Sequence, residues 1–415
     1  MFNEEKFYYG LIAFVVASMF VLYGFQSMDE RAFEFLYGFG IKLSVFYAKA
    51  IFIAAMLLSA LILYAALRRR YERLASFIAT SAFVFSPIVV LSIAYVPFPA
   101  FVLSSLFLSI ALYLLPSFIV VIPSIIAVAI LQSSAVAMAP LFLYYYFNTK
   151  KRFFIALMIL SLIPTALALP KSTAEYDFRL LGATLPLGAI VLSGFRIKDL
   201  RDEAYSFLLA LALSFSPAVI FPMAFFSANG FQAFIKESVR NTRSMWTSLL
   251  FFSALMFSWP NVSVAIAFTL LGTIVIAVYN YSIKNFLYPI SAAILLSSAL
   301  ISTSVAYEQK PVFIPLKVSS EYEIDIFQRC SDCSITAFPN AFKYITGREA
   351  NLVDPFENNW KGKLAITGRS LDIASNNTYY VLSYLGKESS RVGWRYLFGN
   401  ENYLLVFDYS EGEIM

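Results

Sequence analysis

Histidine is absent from all 415 residues. Imidazole metal sites, Ser-His-Asp and Cys-His catalysis and histidine general bases go with it. Cysteine is nearly absent: Cys330 and Cys333 form one Cys-Ser-Asp-Cys, which without a second pair or a histidine cannot complete a tetrahedral zinc site within the chain. Charge is scarce, at 14% of residues against about 25% in globular chains, while 60% are hydrophobic. An ordinary water-soluble domain is excluded. No dense Lys/Arg cluster of the kind that grips a phosphate backbone is found, so nucleic acid is not an expected partner. Internal repeats of fixed period and low-complexity segments are also missing.

Long apolar runs are what the chain has. A hydrocarbon core about 30 Å thick takes about 20 apolar residues per helix, and runs of that order lie near 8–25, 43–67, 77–95, 98–115, 117–131, 133–147, 153–169, 179–195, 204–226, 244–259, 262–281 and 286–307. The first lacks the basic start and small-residue cleavage site of a signal peptide, and is read as a retained helix. The expected fold is an α-helical polytopic membrane protein of about 11 to 13 spans. Residues 1–307 make the membrane domain, and 308–415 make a small α/β or α+β domain. The tail holds 11 Lys and Arg against 14 Asp and Glu, whereas the membrane part is net positive.

Basic loops stay cytoplasmic. Arg68, Arg69, Arg70 and Arg73, then Lys150, Lys151 and Arg152, then Arg196, Lys198 and Arg201 fall on one side if the N-terminus is cytoplasmic. Loops 26–42 and 170–178 and the link 96–99 are then external. Pro217 and Pro222 interrupt the run 204–226. A single crossing there leaves the tail inside; a turn back at the prolines leaves it outside, and the second arrangement is the expected one. It exposes the sequons at Asn261 and Asn376 and both cysteines, for which a local disulfide and a free or redox pair are the alternatives. Strand-like runs in the tail cover 312–318, 364–367, 379–384 and 403–409. The aromatic cluster 144–154 reads as a membrane-interface belt.

The first external loop carries the sharpest signal, Gln26-Ser27-Met28-Asp29-Glu30-Arg31. Adjacent carboxylates repel unless one is protonated, paired or held on a cation, so Asp29 and Glu30 suggest a site. The alternative is local: Asp29 caps a short helix through residues 32–37, with Glu30 and Arg31 as its solvated first turn.

One helix, an Asp-Glu pair opening the first external loop and a second helix ending in Arg68-Arg69-Arg70 resemble the GT-C superfamily. These are the polyprenyl-phosphate-sugar glycosyltransferases that include protein mannosyltransferases and the aminoarabinose transferases of lipid A. Ser86-Pro87 in the third run, Ser133-Ser134 through Pro140 to Tyr144, and Tyr176-Asp177-Phe178-Arg179 leading to Pro186 are similar to the family pattern in order and side. The resemblance covers about residues 1–200. Two departures stand against it. Val96-Pro97-Phe98-Pro99 lacks the acidic residue often found there in relatives, and the tail has no Trp-Trp-Asp triplet of the kind found in oligosaccharyltransferases.

The resemblance implies an inverting transfer of sugar from a polyprenyl-phosphate donor to a protein, glycan or lipid acceptor at the external membrane face. Asp29 is then the general base, and Glu30 its orienting partner or co-ligand of a divalent cation, Mg or Mn. The leaving phosphate calls for cations, and Arg179 suits it with a planar fork. Lys49 lies inside the second run, where a charge costs about 2.5 to 3.5 kcal/mol; it either snorkels to the interface or makes a second phosphate contact. Glu175 and Asp177 pair with Arg179, help bind acceptor, or are solvated loop residues. A catalytically silent scaffold or accessory subunit of the same fold, and a secondary transporter, are the competing functions. The transporter lacks support from repeats or midplane charges.

Overall fold

The computed structural model describes residues 4–22, 27–84, 86–175, 318–319, 321–335, 337–352, 362–366, 394–400 and 404–409, with single positions between 206 and 232. The runs expected from 179 to 307, both sequons and the strand expected at 379–384 lie outside them. So does most of 204–226, including Pro217; Pro222 is one of the single positions and is helical.

In chain order the elements begin with α1 (Glu4–Leu22), β1 (Met28–Asp29), α2 (Glu30–Gly38), α3 (Val45–Arg68), α4 (Arg73–Val84) and α5 (Pro87–Ala94). Next come α6 (Pro99–Leu114), α7 (Val121–Ile130), α8 (Ala135–Thr149) and α9 (Arg152–Glu175). The tail supplies β2 (Val318–Ser319), α10 (Glu321–Arg329), β3 (Ser334–Ile335), α11 (Pro339–Thr346), β4 (Gly362–Ile366), β5 (Trp394–Asn400) and β6 (Leu404–Tyr409). Described residues before 176 are mostly helical, as apolar runs without strand periodicity dictate.

Two compact units divide the chain. One comprises Met1–Tyr23, Ala50–Ala94 and Phe98–Pro315; the other gathers Gly24–Lys49, Tyr95–Pro97 and Leu316–Met415. Two short early segments are thus grouped with the tail.

In the first unit, α3 is the one helix among the described residues long and apolar enough to cross a membrane on its own. Polar glue joins it to α6: Ser59 Oγ donates to the Ser105 carbonyl at 3.1 Å and shares a 2.8 Å hydrogen bond with Ser109 Oγ. Small residues permit that close approach, and a hydroxyl inside an apolar bundle needs such a partner. The run 77–95, expected as one span, is broken. Pro87 has no amide to continue α4 and starts α5 instead, while Ser86 Oγ donates to the Phe83 carbonyl at 2.8 Å. The helices Ile88–Ala94 and Pro99–Leu114 are bent by 118° to one another. Pro97 and Pro99 account for that break, since the residue before a proline is pushed out of helical geometry.

The basic end of α3 is anchored by aromatic faces, with the Arg69 guanidinium 4.5 Å over Tyr113 and that of Arg70 4.4 Å over Tyr145. Tyr144 and Tyr145 are buried rather than displayed as a belt, with Tyr145 against Phe154 at 5.6 Å. Lys150, left-handed at φ 55°, turns α8 into α9.

The second unit is α+β. Its sheet runs β3-β4-β6-β5, with β3 parallel to β4 and the other pairs antiparallel. Its second pairing crosses nearly 290 residues of chain: β1 is antiparallel to β2, Met28 opposite Ser319 and Asp29 opposite Val318. The apolar side of α2, with Ala32, Phe33 and Leu36 buried, packs on α11, where Phe33 meets Tyr344 at 5.5 Å. Phe327 of α10 meets Phe342 of α11 at 5.4 Å. Cys330 and Cys333 are joined by a disulfide in the turn from α10 to β3.

Candidate active site

Asp29 ends β1 and is the N-cap of α2, in extended backbone at φ −76° and ψ 149°. Its Oδ1 accepts the Arg31 amide at 3.1 Å, relieving one of the donors every helix start leaves over. The residue is fully buried. A carboxylate in that position needs charge and hydrogen bonds to offset lost hydration, and Arg31 provides both. Arg31 Nε donates to Oδ1 at 2.8 Å and Nη2 to Oδ2 at 3.2 Å, the bidentate geometry in which a guanidinium matches a carboxylate. The Asp29 amide donates to the Tyr95 carbonyl at 2.8 Å, which holds the same residue through its main chain.

Tyr95 precedes Val96, buried and left-handed at φ 54°. A β-branched residue is strained there, at a cost of order 1 to 3 kcal/mol, and such strain persists only where surrounding contacts impose it.

Glu30, adjacent in sequence, faces different partners. Its Oε2 accepts the Asn340 amide at 2.8 Å and its Oε1 the Ala341 amide at 3.0 Å. These are first-turn amides of α11, whose own N-cap residue, Phe338, has no side-chain acceptor to offer. The carboxylate supplies the missing cap and sits at the positive end of the helix dipole, where hydrogen bonds to a charged group are worth about 1.5 to 3 kcal/mol. At the other end of α11, Tyr344 Oη donates to the Leu43 carbonyl at 2.8 Å and accepts the Leu43 amide at 3.1 Å. Burial pushes the Tyr344 phenol above its ordinary pKa, opposed by the Leu43 backbone hydrogen bond.

Lys49, in the second turn of α3, is fully buried, and its Nζ donates to Ser27 Oγ at 3.3 Å. Ser27, Asp29, Glu30, Arg31, Lys49 and Tyr95 thus all belong to the second unit. Glu175 is the last residue of α9. Asp177 and Arg179 lie outside the described residues, so the structure places neither beside Asp29.

The donor set about Asp29 is that of a cation site already filled by a guanidinium. Both Asp29 oxygens accept from Arg31 and both Glu30 oxygens accept from backbone amides. That arrangement does not fit a divalent cation, which would need carboxylate oxygens turned to a common point and away from Arg31.

Sequence reasoning foresaw the Asp29 cap as one of two readings but missed the Arg31 fork and the link from Glu30 to α11. One signal for the second was present. Phe338-Pro339-Asn340 marks a helix start by its proline yet lacks Ser, Thr, Asp or Asn at the cap, so an acceptor must come from elsewhere.

Solved structures of ArnT are similar to this chain. The crystal structure of ArnT from Cupriavidus metallidurans bound to undecaprenyl phosphate matches over 99% of this chain and 99% of that one, with 10% identity and a TM-score of 0.46. The apo state of the same protein matches over 97% of both chains, with 10% identity and a TM-score of 0.41. At those values the likeness carries no argument about residues or chemistry. No family model matches the chain, and no curated protein does.

Proposed function

We propose that the protein is an integral-membrane glycosyltransferase that moves a sugar from a polyprenyl-phosphate donor to a protein, glycan or lipid acceptor at the external face of the cell membrane. The observation that carries this reading is the fully buried Asp29, held in one orientation by Arg31 and by Tyr95 at the opening of the first loop. A carboxylate held in one orientation suits a base, because proton transfer depends on position before strength. The family resemblance in the first 200 residues supplies the reaction class.

The transfer is one inverting displacement. The acceptor hydroxyl loses its proton to Asp29, its oxygen forms the new bond to the anomeric carbon, and the bond from that carbon to the phosphate oxygen breaks. Polyprenyl phosphate leaves with the electron pair. Its charge calls for cations, for which Lys49 and Arg179 are the candidates, while Glu175 and Asp177 are candidates for acceptor contact.

A second reading has an observation in its favour. Helix cap and ion-pair partner are both structural roles, and a silent scaffold or accessory subunit would use Asp29 in that way alone. The deciding experiment supplies purified protein in lipid nanodiscs with polyprenyl-phosphate-linked sugars and follows donor consumption. Wild-type turnover with none in Asp29→Asn is the expected result, the asparagine keeping a cap acceptor so that thermal stability changes little. Equal turnover in both proteins, or none in the wild type across the donor panel, favours the scaffold.

A further inference from the structure

Glu30 is adjacent to Asp29 in the chain, yet its side chain is committed elsewhere. Both of its oxygens accept amides of α11, 310 and 311 residues further along, while Asp29 is held by Arg31 and Tyr95. Helix α11 cannot cap itself, since Phe338 stands at its N-cap with left-handed backbone and no acceptor. The same helix is fastened a second time, by Tyr344 to Leu43 in the loop that leads into α3. Between those two fastenings Phe33 of α2 lies against the Tyr344 ring. The segment from Asp29 to Leu43 is therefore held at both ends by one tail helix.

We infer that Glu30 is a positioning residue, its carboxylate holding the start of α11 so that the tail helix fixes the peptide carrying Asp29, with Tyr344 as the second fastening. It takes no proton in the reaction and contacts no substrate. The inference extends the glycosyltransferase reading and rests on it for its kinetic half only.

Because Glu30 and Asp29 share a peptide bond, tension on the Glu30 side chain is transmitted to the Asp29 backbone within one residue. A misplacement of about 1 Å at a reacting group can cost about 10²-fold in rate. Loss of the fastening should appear in kcat, with binding of the donor left alone.

The test uses the full-length protein in nanodiscs and two variants, Glu30→Gln and Tyr344→Phe. Hydrogen exchange followed by mass spectrometry reads the amides of Asp29, Arg31 and Ala341 directly, and donor turnover is measured against pH. Glu30→Gln should speed exchange at Ala341 and at Asp29 and Arg31 by about tenfold, the scale of a lost cap. It should lower kcat with donor KM unchanged and leave the pH profile where it was. Tyr344→Phe, which touches neither Asp29 nor Glu30 and only removes a hydroxyl, should speed exchange at Asp29 and Arg31 in the same direction. Unchanged exchange at those two amides in Tyr344→Phe, or in a folded Glu30→Gln, overturns the inference. A displaced acid limb of the pH profile in Glu30→Gln also overturns it, since that would make Glu30 part of the chemistry. If the wild type turns over no donor, the glycosyltransferase reading falls while the exchange results still decide whether α11 fixes the loop.

Discussion

Arg31 lies along Asp29 so that both arms of its fork meet the carboxylate, Nε at 2.8 Å and Nη2 at 3.2 Å, although the two residues are only two apart. The cap geometry makes this possible: Asp29 is extended while Arg31 is already helical, so the chain folds back and brings the side chains together. The Asp29 side chain is 1% exposed and that of Arg31 31%, which leaves the guanidinium in contact with solvent and the carboxylate without it.

Removing Arg31 should therefore take a two-armed contact from a buried carboxylate. Arg31→Ala is expected to lower stability by about 1 to 3 kcal/mol, and Arg31→Lys to recover part, because an ammonium cannot reproduce the two-armed contact. Thermal denaturation of the two variants beside wild type checks the order. Equal melting temperatures would mean that the Arg31 fork adds nothing to the other contacts that hold Asp29.

Lys49 is to be tested for its part in holding phosphate. Lys49→Met keeps most of the side-chain volume, so stability should hold or rise slightly once the buried charge is gone. Affinity for polyprenyl phosphate should drop by about tenfold or more, as expected for a lost charge-assisted hydrogen bond. Titration with the lipid phosphate reads this, and an unchanged Kd would confine Lys49 to its bond with Ser27.

Alkaline pH offers a third measurement. Burial raises the Tyr344 pKa above the unfolded value near 10, so the neutral phenol is favoured in the folded protein. Its contribution to stability is complete below pH 10 and is lost as pH climbs through the raised value. Thermal stability should fall over that range in wild type and lack that step in Tyr344→Phe, in which the Leu43 amide should already exchange fast at neutral pH. A Leu43 amide equally protected in both proteins would contradict the Tyr344 fastening.

The β1–β2 pairing has a topological corollary. Backbone pairing outside a barrel does not extend through hydrocarbon, so on the proposed membrane reading loop 27–44 and the tail should share one face. Single cysteines replacing Lys42 and Arg348, both exposed, should react with an impermeant reagent from the same side, and one replacing Lys151 from the other. Lys42 and Arg348 labelling from opposite sides would be incompatible with the pairing.

Hydrophobic length made much of the helical part readable. The run expected at 43–67 corresponds to Val45–Arg68, 98–115 to Pro99–Leu114 and 133–147 to Ala135–Thr149. Apolar content did not reveal the break at Ser86-Pro87, where the missing proline amide outweighs continuous hydrophobicity. At the site, Asp29 was readable because a cap acts on its own next two residues. Glu30 was not, because its partners lie 310 residues away and only the uncapped start of α11 hints at a need for them. The gathering of Gly24–Lys49 and Tyr95–Pro97 with the tail was invisible for the same reason: contacts between segments remote in sequence leave no local periodicity.

Synthesis from the N-terminus gives that gathering a temporal meaning. Asp29, Glu30 and Arg31 emerge within the first tenth of the chain, while β2 and α11 are made only after residue 317. Until then the loop lacks its strand partner and the amides that Glu30 accepts. The Glu30 fastening is thus completed last although its carboxylate is translated first, and a chain cut before residue 318 is without the finished loop. Closure of the first loop is in this way coupled to synthesis of the tail, and a stalled or truncated product should be recognisable to quality control by an open first loop.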